Sequence, residues 1–193
     1  MVVKMTLEEL YQILLSDDVI KKIKEHEKEI FEMIPELETC KGFKQNNPWH
    51  VYDVYEHILR VVEGVPKEKQ IRLAALFHDV GKPQCHTTDD EGIDHFKGHW
   101  KYSLRFFLEF ANNYYVDVNT VSLVSKLIFY HDYRFKNDDD NKIKVITDSF
   151  DEEELKKLYD LKRADLLAQN SDYHYLLDEL NKQEELVLKR HKR

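Results

Sequence analysis

The sequence predicts an all-α protein, and three observations carry that expectation. The chain has only 5 Gly and 4 Pro in 193 residues, a share of about 5% against a usual sum of about 12%. Tight hairpins consume such breakers, so a sandwich or barrel with a turn every ~8–12 residues is all but excluded. Apolar residues recur at three- and four-residue spacing through most of the chain. Helix caps, rather than strand turns, punctuate that period.

Each element follows in order. Thr6-Leu7-Glu8-Glu9 is a capping box that opens a helix to about Leu15. Asp17 or Asp18 caps a second, to about Ile34, with Ile20, Ile23, Ile30 and Ile34 at helical spacing and Pro35 as its stop. Residues 35–49 read as loop. A third helix runs from about Val51 to Glu63, with Val54, His57, Ile58 and Val61 on one face and Gly64 and Pro66 beyond it. A fourth runs from Lys67 to about Asp79 and stops at Gly81 and Pro83. Residues 84–97 are polar and irregular. A fifth covers His99–Asn112, with Leu104, Phe107, Leu108 and Ala111 inward, and a sixth Asn119–His131. Residues 132–148 are charged; Asp138-Asp139-Asp140 lacks the Gly and Glu of a calcium loop, so this is a solvated loop with a short helix near Ile143–Ile146. Ser149-x-x-Glu152 is a second capping box, for a helix to about Gln169, and a last helix covers Asp172–Lys189.

Composition bounds the function. The chain is 42% hydrophobic and 12% aromatic, enough for a packed core in one domain over residues 1–193. The longest apolar run, Leu73–Phe77, is far short of a membrane span, so no membrane partner is expected. Residues 1–15 carry acids in an amphipathic pattern and do not read as a signal peptide. Cys40 and Cys85 read as free thiols, and the expected location is the cytoplasm. The net charge of −8 argues against extended nucleic acid as a partner. The basic end, Lys189 to Arg193, reads as a solvated tail. No oligomeric state follows from these features.

Seven of the ten His lie between positions 50 and 131, and several stand where core or helix-end residues belong. His57 is three after Val54 and four before Val61. His78-Asp79 ends an almost wholly apolar helix, His99 starts the fifth helix and His131 ends the sixth. Asp165 is four after Leu161 and seven after Leu158, on an apolar face. A single inward His is usually a hydrogen-bonded core residue. A buried Asp, however, must be compensated by a pair, donors or a metal. Imidazole and carboxylate together suit a divalent cation of borderline hardness, and the lack of thiolates argues against a structural zinc site.

Glu56-His57, His78-Asp79-Val80-Gly81-Lys82-Pro83 and Arg163-Ala164-Asp165 resemble the HD-domain superfamily of metal-dependent phosphohydrolases. His50-x6-His57-Ile-Leu-Arg60, His95-Phe96-Lys97-Gly98-His99 and Tyr130-His131 are similar to the HD domain attached to bacterial CCA-adding tRNA nucleotidyltransferases. The likeness covers about residues 46–170, flanked by helices at 1–34 and 172–190. Residues 1–34 read as helical, with no Gly-Ser loop and paired-carboxylate strand of a polymerase head, so the hydrolytic module is the expected function.

The resemblance implies an all-α bundle of the HD-domain type. It also implies one or two divalent ions (Mn, Fe, Co, Ni, Zn or Mg). His57, His78, Asp79 and Asp165 would hold one; His99 and His131 would hold a second, with Asp79 bridging. It implies hydrolysis of a small phosphorylated substrate, a nucleotide or cyclic nucleotide first, by a metal-activated water. The alternative is a binding or regulatory module in which the metal organises a ligand pocket. Lys82, three after Asp79, Arg60, three after His57, and Arg134, three after His131, are the candidate phosphate-binding cations. His95 or His50 is the candidate general acid; the rival reading of His95, and the preferred one, is that it hydrogen-bonds a ligand or water. His26, His86, His174 and His191 read as background. Trp49, Trp100, Tyr102, Phe106 and Phe107 could stack on a base but read first as core packing; Trp49 and Trp100, each beside a His, are the candidates for lining a pocket.

Overall fold

The computed structural model describes residues 4–136 and 138–191. Helices dominate: α1 (Leu7–Leu14), α2 (Val19–Glu25), α3 (Glu27–Met33), α4 (Pro35–Cys40), α5 (Val54–Gly64), α6 (Lys69–Phe77), α7 (His99–Asn113), α8 (Val118–Tyr130), α9 (Asp140–Ser149), α10 (Glu152–Leu167) and α11 (Leu177–His191). Single 3₁₀ turns cover Lys82–Cys85 and Ser171–Leu176. The pair β1 (Thr87–Thr88) and β2 (Asp94–His95) forms a small antiparallel hairpin. No described helix is long and apolar enough to cross a membrane.

The centre of the bundle is α6. Every residue from Ile71 to Phe77 is buried, Arg72 included, which is why the end of this helix reads as almost wholly apolar. It packs against α5, α8, α7 and α1, while α10 closes over α5. Caps set the starts. Thr6 and Glu9 form the expected box at α1. Asp53 accepts from the Glu56 amide at α5, and Asp117 from the Thr120 amide at α8.

Several expectations are corrected. The helix expected over residues 17–34 is broken at His26, whose φ of −111° and ψ of 22° leave the helical region; the apolar face continues through Ile23, Ile30 and Met33. Residues 35–40 form α4 rather than loop, because Pro at a first helical position loses no hydrogen bond and Leu37 and Cys40 gain burial. The box at α10 is Asp151 with Glu154, not Ser149 with Glu152. Ser149 ends α9, a ten-residue helix capped by Asp139 that buries Ile143 and Ile146. The inward face of α7 is Ser103, Phe106, Phe107, Phe110 and Ala111, and Leu108 is exposed. The last segment opens with a 3₁₀ turn before α11. Of the basic end, Lys192 and Arg193 lie outside the described residues. Cys40 and Cys85 are free thiols.

Residues 41–53 cross the molecule as a strap. Asn46 and Asp94 tie it to the hairpin, with the Asn46 amide 2.8 Å from Asp94 Oδ2 and the Asp94 amide 2.9 Å from the Asn46 carbonyl. On the other side the Asn170 amide donates to the Trp49 carbonyl at 2.8 Å. The strap sets Trp49 and His50 over the open end of α5, α6 and α10.

Candidate metal centre

Five helix ends and faces converge beneath that strap. His57 comes from the middle of α5, His78 and Asp79 from the end of α6, His99 from the start of α7, His131 from the end of α8 and Asp165 from α10. His57, His78, Asp79, His99 and His131 are buried. Gly81 makes the convergence possible. A Cβ there would stand 2.3 Å from the His99 carbonyl oxygen and 2.6 Å from the Ser103 nitrogen, so only a residue with none lets the start of α7 press against the Asp79 turn. Gly98, at φ 80°, makes the left-handed entry into α7.

The two oxygens of Asp79 face different imidazole pairs. Oδ2 lies 3.3 Å from His57 Nε2 and 3.2 Å from His78 Nε2. Oδ1 lies 3.1 Å from His99 Nε2 and 3.7 Å from His131 Nε2. Two triads result, His57/His78/Asp79 and Asp79/His99/His131, each with its ligand atoms close enough to hold one metal ion. Asp165 joins through His57, with Oδ1 3.1 Å from Nε2.

Helix geometry explains why the Nε2 atoms point inward. Each Nδ1 faces a main-chain carbonyl: His78 to Ala75 at 2.7 Å, His99 to Phe96 at 2.9 Å, His131 to Ile128 at 2.7 Å and His57 to Ala168 at 3.4 Å. A carbonyl only accepts, so Nδ1 carries a proton, and each ring in its neutral form presents a bare Nε2 lone pair. The carbonyls of a helix's last turn lack intrahelical partners, which suits His78 and His131. The Nε2 atoms of His57 and His78 are buried and make no hydrogen bond. Those of His99 and His131 lie 2.9 Å apart. Two lone pairs at that separation repel unless a cation or proton sits with them. The orphaned nitrogens and the all-imidazole and carboxylate set therefore fit a divalent metal.

Charge is balanced locally. Burial opposes ionisation of Asp79, but His78, Lys82, His131 and His57 together outweigh it and hold the carboxyl well below the usual range. Asp165 is likewise held down, with His57 overcoming burial. Burial works against a charged His57 too, and the Asp165 and Asp79 carboxylates override it and raise its pKa.

Lys82 lines the cavity above this cluster, but its ammonium is already engaged. Nζ lies 2.6 Å from Asp79 Oδ2, 2.8 Å from Gln45 Oε1 and 3.3 Å from His50 Nε2. An ammonium has three N–H bonds, and these three contacts account for all of them. His50 is an acceptor here. Burial and the neighbouring Lys82 push its pKa down to about 2, and Asn47 Oδ1 takes its Nδ1 proton at 2.9 Å.

The cavity, of about 410 Å³, is walled by Trp49, His95, Phe96, Lys97 and Arg134. His95 Nε2 lies 2.7 Å from Asp89 Oδ2. Arg134 is exposed and paired with Asp132 at 3.0 Å. Arg60 is not there: three residues turn a helix about 300°, and that offset carries its guanidinium out over the Tyr52 ring, 4.3 Å from its centroid, into a separate groove. Trp100 is also absent from the cavity and packs on Phe129 instead. His86, read as background, bonds Asp94 at 2.8 Å and stacks on Phe96, organising the hairpin that carries His95. Gln45 and Lys162 gave no signal in the sequence. Lys162 sits one turn before Asp165, with Nζ 2.8 Å from the His131 carbonyl and 3.0 Å from that of Tyr133, and burial lowers its pKa to about 8.

None of the curated proteins matches the chain. Residues 49–170 match the HD domain, the superfamily of metal-dependent phosphohydrolases. The match opens at Trp49 on the strap and closes just past Asp165, so it encloses both triads. It covers well over half of the 193 residues, and the chain belongs to the HD domain family.

Proposed function

We propose that the protein hydrolyses a small phosphoester, a nucleotide or cyclic nucleotide, at a centre of two divalent cations, and that it works in the cytoplasm. The observation that carries this reading is the division of the Asp79 oxygens between two imidazole pairs. A bound divalent cation supplies a Lewis acid for the phosphoryl oxygens and lowers the pKa of a coordinated water from about 15.7 to about 7.

The chain's own residues do the rest. Asp79 bridges the two triads, and Lys82 keeps it ionised and oriented. Lys97, which makes no ion pair or hydrogen bond among the described residues, and Arg134 recognise the phosphate at the cavity mouth. Trp49 offers a face to a base. His95, aligned by Asp89, hands a proton to the leaving oxygen. The cavity is within the ~300–1,000 Å³ range of small-ligand sites, which with the net charge of −8 disfavours a long polynucleotide. Likeness of the His95–His99 run to the HD domain of CCA-adding enzymes suggests 2′-nucleotides and 2′,3′-cyclic phosphates first.

The test is turnover of bis-p-nitrophenyl phosphate, 2′-AMP and 2′,3′-cAMP by protein loaded with Mn, Co, Ni or Mg. Hydrolysis with at least one metal is expected. Tight metal and nucleotide binding without turnover would overturn the enzyme reading in favour of a regulatory module.

A further inference from the structure

Lys162 projects from α10 into the bundle, and no carboxylate stands within ion-pair distance of it among the described residues. Its ammonium instead donates to the carbonyls of His131 and Tyr133, 2.8 and 3.0 Å away. Even partial burial of an ammonium without a carboxylate is costly, so the contact must return something. Those carbonyls lie where α8 ends, at the negative pole of the helix, and a cation there is favourable. His131 is the cap residue of α8. Its ring is oriented by the Ile128 carbonyl and its main chain by Lys162. One turn further along α10, Asp165 Oδ1 stands 3.1 Å from His57 Nε2. A single helix thus reaches the first triad with a carboxylate and the second with an ammonium.

We propose that Lys162 is a positioning residue that holds His131 in register and so sets the second triad against the first. This rests on the two-cation reading above. With Lys162 in place, His131 Nε2 stands 2.9 Å from His99 Nε2; without it, the main chain at His131 loses its tie to α10, and the Lys126–Glu154 pair about a turn earlier is the contact that still joins the two helices.

Titration with Co²⁺, followed by its visible absorption bands, tests this on the full chain. Wild type is expected to take up two equivalents. Lys162→Met, which keeps the stem but donates nothing, is expected to retain the first and bind the second about 10–100-fold more weakly. Lys162→Arg, still able to donate to both carbonyls, is expected to recover it. A purely structural role would weaken both equivalents together or neither, and either result overturns the proposal. If Lys162→Met does not fold, Lys162→Gln, polar but uncharged, carries the test with the same outcomes. A wild-type chain that binds a single equivalent overturns the two-cation reading itself, a failure distinct from two equivalents unaffected by the substitution.

Discussion

His99 Nε2 and His131 Nε2 lie 2.9 Å apart with both Nδ1 atoms committed to main-chain carbonyls. Neither ring can turn its proton toward the other without abandoning a carbonyl. The contact suits a shared positive charge, so metal removal should register in stability. Apo protein is expected to melt lower than protein with metal at ~100 times its Kd. That excess adds about 2.7 kcal/mol, or roughly 5–11 °C for a chain of this size. Calorimetry with EDTA and after Mn or Co addition checks it; equal melting temperatures would count against a metal centre.

Asp79→Ala is expected to abolish binding at both triads, since it removes the one ligand they share. The loss should exceed the ~10–100-fold typical of an outer partner. Equilibrium dialysis with elemental analysis reads it. Retention of one equivalent would mean that the two oxygens of Asp79 do not serve two ions.

The two lysines of the cavity should separate kinetically. Lys97→Gln removes an uncommitted cation, so KM should rise about tenfold, near 1.4 kcal/mol, with kcat little changed. Lys82→Met leaves Asp79 Oδ2 and Gln45 Oε1 without their donor, so kcat should fall by up to about 100-fold with KM nearly unchanged. The opposite pattern would return Lys82 to the phosphate.

Gly81→Ala drives a methyl into the His99 carbonyl and the Ser103 amide. Both are backbone atoms at the start of α7 and can yield only by moving the helix. A destabilisation of about 3 kcal/mol is expected, at the upper end of the usual overpacking cost. Denaturant melts read this directly. An unchanged midpoint would show that α7 can retreat freely.

What the sequence determined by itself is local. The breaker deficit, the 3.6-residue period and a cap such as Thr6 specify helices through contacts within four residues, so the class and most boundaries were legible. His57, His78, Asp79, His99, His131 and Asp165 were legible for the same reason, because ionisable groups on apolar faces or at helix ends break a local pattern. The limits were local too: a proline after an apolar run reads as a stop, although at Pro35 it starts a helix. Tertiary structure alone decided how each group is used. Lys82 and Arg60 look alike by spacing, yet one ammonium is consumed by Asp79, Gln45 and His50 while the other cation rests on Tyr52 outside the cavity. Gln45 lies 37 residues from Lys82 and Lys162 lies 31 from His131. Hydrogen-bond partners that distant leave no periodic trace, because donors are satisfied by whatever the packing of α5, α6, α8 and α10 brings within 3 Å.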